Sequence, residues 1–532
     1  MNSRSGNSWI YLFFAALAFL FIQASQPQQP QKKKRIEIDN ADLYTYDEKV
    51  IANAQRLIGN VRFRHNDALM MCDSAYSYNE SNMFDAFGNV HIIQGDSINL
   101  YGDKMNYNGD IRLARFVGNV KLVDKSITLT TDELEFDLST NVGYYDTFGK
   151  IVDTANVLTS NIGRYYSNDD MFFFKDSVVV TNKDFVLTAD TLKYNSKTER
   201  VFIVAPTHIV GNDDKGTLYS ENGWYDTRTN IAELYKGSKI INKDQTLEGD
   251  TLFYDKATGN GRARHRVVLT DTTNHVMITG RFGIYNENSK IAFVTDSAMF
   301  IQFTNKDTLY MHADTLRTIP DTAAVENSDN KFFMAYRNVR FWKPDLQGKC
   351  DSLAYQMKDS VMRMFFDPVL WDATNQMTAE RIEYVSKEID PDLAKMENEA
   401  MIISKEDSIK FNQIAGKLIL GQIFENKLKV VDVNGNAQTR YYLKEKEKYT
   451  GMNSLESSKI KIHLVESKID SITFYPKPEG KTIPLRDLTD EQKWLRGFIW
   501  REAEKPRNRF DLYPIDESRK KNAGLVSKPA SK

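Results

Sequence analysis

The 532-residue sequence predicts an all-β fold, an elongated repeat β-jellyroll made of two facing antiparallel sheets. The first observation is a recurring step: an acidic residue, an apolar residue two positions on, and an aromatic two further. Asp103-Met105-Tyr107, Asp132-Leu134-Phe136, Asp190-Leu192-Tyr194, Asp250-Leu252-Tyr254 and Asp351-Leu353-Tyr355 are the clean copies. Asp73, Asn161, Glu221, Arg281, Asp314 and Glu380 mark degraded ones, and the eleven anchors are 30, 29, 29, 29, 31, 29, 31, 33, 37 and 29 residues apart. So steady a period means one supersecondary unit stacked repeatedly. The second observation is composition: 26 Tyr and 30 Phe against 13 Pro suit pleated, half-buried strands and argue against disorder. The third is a change of phase. Ile127 and Leu129 alternate with polar neighbours, and across Asp132 the apolar positions jump to Leu134 and Phe136. One extra residue at the anchor implies a bulge or corner that keeps apolar side chains inward while the strand bends.

Taken in order, residues 1–24 carry Arg4, the apolar run Trp9 to Ile22 and the small pair Ala24-Ser25, the pattern of a signal peptide; an uncleaved anchor is the alternative. No Cys follows the run, which argues against a lipoprotein, and no later segment approaches transmembrane length, so a soluble protein beyond the inner membrane is expected. Residues 25–40, Pro- and Gln-rich and then basic from Lys32 to Arg35, read as a solvated polar linker, with anionic membrane contact as the other reading.

The repeat region spans 41–440. In it, Gly59-Asn60-Val61, Gly88-Asn89-Val90 and Gly118-Asn119-Val120, with Gly149-Lys150-Ile151 as a weaker copy, read as turns through which strands are entered. Asp137 to Thr140, Asn195 to Thr198, Asp226 to Thr229, Asp255 to Thr258 and Asn286 to Ser289 read as reversals held by side-chain oxygens. Each repeat is then two or three short strands with one apolar face, and stacking buries that face between two sheets. Such tight reversals favour antiparallel pairing over a right-handed parallel β-helix. Within 441–480 two further strands are expected, Ile460 to Val465 and Ile472 to Tyr475; within 481–532, a short helix from Leu488 to Glu504, capped by Thr489 or Asp490, and a basic tail.

Lys plus Arg total 70 and Asp plus Glu 72, so no global field recruits nucleic acid. The two cysteines, Cys72 and Cys350, each precede an anchor nine repeats apart. At about 4.8 Å or more per repeat they lie more than about 40 Å apart, which predicts two free thiols or an intermolecular bridge. His65, His91, His208, His265, His275, His312 and His463 show no metal-ligand spacing, and neither a nucleophile elbow nor a phosphate loop is present. An enzyme, a cofactor and a metal site are therefore not expected. The recurring Asp residues could imitate the carboxylate pair of a polysaccharide-cleaving β-solenoid, or hold Ca2+, but their recurrence at a structural corner points to turn stabilisation.

The Gly-Asn-Val turn, the Asp-x-Leu-x-Tyr step and the repeat of about 29 residues, behind a signal peptide, resemble the OstA-like (organic solvent tolerance) family over roughly residues 41–440. Its members include the periplasmic bridge protein of lipopolysaccharide transport and the periplasmic domain of the outer-membrane translocon. The resemblance implies an open jellyroll whose apolar interior carries lipid acyl chains. It makes Leu134, Phe136, Leu192, Tyr194, Leu252, Tyr254, Leu353 and Tyr355 the expected lipid-binding groove, where the plain reading of the same stripe is a solenoid core. The implied partners are lipopolysaccharide or lipid A acyl chains, the outer-membrane translocon, and other jellyroll proteins paired edge to edge near Gly59 to Tyr78 or Glu380 to Gly421. Two departures stand out: the array is long enough for two fused jellyroll segments, and the strands of a membrane barrel are missing. A structural or adhesive scaffold at the cell surface is the alternative, and it predicts an outward aromatic or polar ladder in place of an apolar lumen.

Overall fold

The computed structural model describes residues 34–513 apart from 47–52, 213–215, 304–306, 321–330, 357, 373, 388–390, 426, 447, 466–467 and 477. The signal-peptide stretch, most of the linker and the tail beyond 513 lie outside the described residues. Two compact units divide the chain, Met1–Phe174 and Lys175–Lys532. The described residues of both are all-β and antiparallel, and no helix among them is long and apolar enough to cross a membrane.

In the first unit, pairing begins with the short strands Glu37–Asn40 and Leu43–Tyr46 laid along Gln55–His65. Ala68–Tyr78, Met83–Gln94, Ile98–Asn108, Leu113–Asp124 and Ile127–Asp137 follow, each paired with the strand before it. Midway along every such pair the register slips, between Ile58 and Val61 for example, and again between Phe87 and Val90. Each strand therefore bends at a corner and contributes one half to each of two facing sheets.

The Gly-Asn pairs sit at these corners, inside strands of 11 or 12 residues, rather than at the entrances of short strands as the sequence suggested. The cause is backbone geometry. Gly118 and Asn119 adopt φ of 82° and 47°, and two consecutive left-handed residues turn a strand without ending its ladder. Gly118 is needed twice, because a Cβ there would also lie 2.7 Å from Asp103 Oδ2. That same carboxylate accepts from Asn119 Nδ2 at 2.7 Å, so the anchor Asp of one strand locks the corner of the next. Asp73 with Asn89, and Asp42 with Asn60, repeat the arrangement; Asp42 is an anchor that the sequence pattern did not reveal. Gly149 departs from it: its neighbour Phe148 takes the positive φ, and Gly149 leaves room for the Tyr145 ring.

The second unit uses the same corner with other side chains. His265-Arg266, Asp296-Ser297, Arg337-Asn338 and Asn398-Glu399 are consecutive positive-φ pairs. Arg266 donates to Asp250, Asn338 to Asp314 and Asn398 to Glu380. The turn readings hold as well: Asp137 accepts from the Ser139 amide at 2.7 Å and Asn195 from that of Thr198 at 2.8 Å.

The expected helix from Leu488 to Glu504 is absent. Isolated 3-10 turns stand at Glu491–Lys493 and Glu502–Glu504, and Asp490 makes no side-chain cap. The segment is instead held extended against the outer face of its sheet. Gln413 donates to Lys493 O and accepts from Leu495 N, both at 2.8 Å. Gln376 does the same to Ile499 O and Arg501 N, both at 2.7 Å. These clamps take up backbone groups that a helix would pair internally, while Trp494, Phe498 and Trp500 pack around Phe411 and Leu495. Cys72 and Cys350 are both free and buried, and burial pushes each thiol up to about 12.

Candidate functional site

The interior of the first unit is full. Phe63 and Phe84 stack with centroids 4.0 Å apart, Tyr107 leans on Phe84 at 5.4 Å, and Tyr165 stacks on Phe172 at 4.2 Å. Leu134 and Phe136 are buried in this packing. Where the rims of the two sheets meet opposite the corners, polar side chains sew them together. His65 is bonded to Tyr107 Oη at 2.6 Å, and its other ring nitrogen donates to Lys34 O at 3.1 Å, so Nδ1 accepts from the phenol. Arg112 reaches Asp67 at 2.7 Å; Asp124 accepts from Tyr165 at 2.8 Å and also from Ser167. The partners in these stitches are 41–45 residues apart, so each rim turn meets the opposite rim about one and a half repeats later. Burial lowers the His65 pKa and pushes Tyr107 up to about 12.

In the second unit the sheets part. Between residues 184 and 287 lies a cavity of about 90 Å³, lined among others by Phe185, Leu218, Ile240, Leu247, Tyr254 and Leu269. The packing loosens in step: along Gln245–Asp255 only Gly249 and Leu252 are fully buried, whereas Ile127–Asp137 buries every inward position. Gly211, Gly216 and Gly261 are part of the lining and contribute backbone only. At the mouth stands Glu287, which accepts from Tyr254 Oη at 2.9 Å and from Asn242 Nδ2 at 3.2 Å. Burial, then the bond to Glu287, holds the Tyr254 phenol far above its usual range, so it stays a neutral donor.

Of the eight expected groove residues, Tyr254 lines this cavity. Leu192, Tyr194 and Leu252 are buried within the second unit, and Leu353 and Tyr355 belong to its large apolar cluster, which runs from Val276 to Leu464. Sequence reasoning missed Ile240, Leu247, Leu269 and Glu287. The alternation around Leu247 and Leu269 looks like that of any other strand, and nothing local tells a filled interior from an open one. The glycines at 211, 216 and 261 were the available signal. Among the described residues no group of His, Cys, Asp and Glu is placed to hold a metal ion.

The outer faces carry their own pattern. Arg200 lies over the Trp224 ring at 4.3 Å, Arg262 over Phe253 at 5.2 Å and Arg164 over Tyr144 at 5.5 Å, each pair across neighbouring strands.

In each unit, antiparallel bent strands enclose an apolar interior, hollow in one stretch of the second, an architecture of the β-jellyroll type. Residues 33–190 and 205–309 match the family model of the OstA-like protein, and over this part the chain belongs to the OstA-like family. That family is one of transport and binding proteins in the context of lipopolysaccharide transport. No curated protein matches the chain.

Proposed function

We propose that this protein shields the acyl chains of lipopolysaccharide between its sheets and carries them through the periplasm toward the outer membrane. The signal-peptide pattern at residues 1–24 supports export, and the absence of enzyme motifs fits a carrier. The observation that carries the reading is the apolar cavity between residues 184 and 287 within a member of the OstA-like family. Each methylene taken from water is worth about 0.8 kcal/mol, so an apolar slot strongly favours an acyl chain over aqueous exposure. Partners follow from the edge of the array, which lies elsewhere than expected, since the strands at Gly59 to Tyr78 and Glu380 to Gly421 are paired on both sides. Leu43, Tyr44 and Tyr46 are exposed on a strand whose outer edge is unpaired among the described residues, a surface suited to a strand of another jellyroll protein.

A photo-crosslinking residue in place of Tyr254 should capture lipopolysaccharide in living cells, and one in place of the outward-facing Lys193 should not. Mass spectrometry of the purified protein should find lipid A. Equal capture at both positions, or at neither, removes the carrier reading. The Arg-over-aromatic pairs on the outer faces favour a second reading, a surface scaffold; it predicts surface display and no retained lipid.

A further inference from the structure

We infer that lipid enters this protein sideways, through the seam between the two sheet rims, and that Glu287 is the bolt on that opening. The inference rests on the lipid reading and adds the route of entry. Size comes first. An engineered apolar cavity of about 150 Å³ accommodates benzene, so the 90 Å³ found here holds far less than an acyl chain of a dozen carbons. To take up such a chain the walls must part.

The direction of parting follows from what surrounds the cavity. On one side Leu187, Leu192, Tyr194 and Val201 are completely buried; on the other Phe300, Met311, Leu316 and Phe333 fill the space between the sheets. A chain moving lengthwise would have to displace this close-packed interior, in which a misplacement of even one methylene is felt. At the corner side the strands Ile231–Asn242, Gln245–Asp255, Asn260–Asp271 and Val276–Asn286 run from one sheet into the other, and short links at 204–206 and 221 join the rest, so the sheets stay tied there. The rims opposite the corners are left.

There, Asn242 ends the half-strand 238–242 of one sheet, and Glu287 follows the half-strand 282–286 of the other. Their 3.2 Å hydrogen bond crosses the gap, and Glu287 is steadied by Tyr254 from its own sheet. The first unit makes the same crossing with buried bonds, His65 to Tyr107 and Asp124 to Tyr165 and Ser167. At the cavity Asn242 and Glu287 make the crossing with a part-buried amide-to-carboxylate bond. Only part-buried, such a bond can be exchanged for water as the rims part. Behind it the half-buried Ile240, Ile241 and Leu247 offer an incoming chain apolar surface as soon as the rims part.

The test joins the rims covalently. Asn242→Cys and Glu287→Cys are combined and bridged with a short bismaleimide; the native thiols, buried and raised to about 12, stay unmodified. Uptake of pyrene-labelled dodecanoic acid and of lipid A from mixed micelles is followed, with thermal unfolding as the check on folding. Bridging should slow uptake at least about tenfold, a barrier of about 1.4 kcal/mol, relative to the same variant treated with a monofunctional maleimide. Glu287→Ala should speed both uptake and release. Equal uptake by bridged and unbridged protein overturns the lateral route. If no form takes up either probe, the wild type included, the lipid reading itself fails and this inference with it.

Discussion

The interior from Gln55 to Asp137 is built from unbroken bent strands and is full, whereas the interior from Asp184 to Glu287, where bent strands alternate with the short Arg200–Ile203, Thr207–Gly211, Thr217–Ser220 and Asn222–Asp226, is hollow. In the first, Phe63, Phe84, Tyr107 and Phe136 occupy successive inward positions, and ring meets ring. In the second, Gly249, Gly261 and Gly283 fall on the strands, and Ile240, Leu247 and Leu269 line a gap. The corner chemistry is common to both: Asn119 on Asp103 in one, Arg266 on Asp250 in the other. The corner is thus indifferent to what lies between the sheets. Residue size decides whether a stretch is a core or a container.

The largest effect should come from placing charge among close-packed side chains, which also flank the hollow. Leu192→Glu puts a carboxylate at a fully buried position, and on the order of 4 kcal/mol or more of stability should be lost in denaturant unfolding. Lys193→Glu, on the outer face, should stay within about 0.5 kcal/mol. Next, Phe136→Ala should cost about 3–5 kcal/mol, because its neighbours are tightly packed. Leu247→Ala at the cavity wall should cost roughly 1 kcal/mol, since that side chain is already half exposed. Equal losses at the two sites would mean that the second interior is filled in solution.

A smaller contrast lies in the glycines. Gly118→Ala must take a positive φ and collide with Asp103, and about 1–3 kcal/mol should be lost. Gly261→Ala meets nothing closer than 3.6 Å and should be nearly neutral, within about 0.5 kcal/mol. The mildest effect concerns pH. The His65 pKa is lowered in the folded protein, chiefly by burial, so the neutral ring is the stable one. Its contribution is complete above the unfolded value near 6.5 and is lost as pH falls through the folded value. The melting temperature should therefore drop between pH 7 and pH 5, and His65→Gln should flatten part of that slope.

Much of the fold was legible because period and phase are local properties. The anchor spacing and the jump from Leu129 to Leu134 announced a bend, and Asp103, Asp132 and Asp250 do stand where the ladder skips. The role of the Gly-Asn pairs was half legible: the glycine signalled an unusual φ, but whether the chain reverses or merely bends depends on the strand opposite. Corners such as His265-Arg266 and Asp296-Ser297 gave no sign, since nothing in their side chains requires a left-handed backbone. The helix from Leu488 to Glu504 was misread because Gln376 and Gln413, which claim its backbone groups, are remote in sequence. The cavity was hidden for a related reason. Whether Leu247 meets another side chain or empty space is settled across the gap, by residues dozens of positions away.

The ladder of pairings has a temporal side. From Gln55 to Asp137 every strand is bonded to the one just before it, so no ladder contact waits for a distant segment. Chains with such short-range topology assemble quickly, since little entropy is spent in closing each loop. A polypeptide emerging thread-first into a new compartment could use each finished strand as the template for the next, growing from its leading end with one unsatisfied edge at a time. The rim stitch from His65 to Tyr107 would then act as a ratchet, forming only after three further strands are in place and holding what has already been laid down.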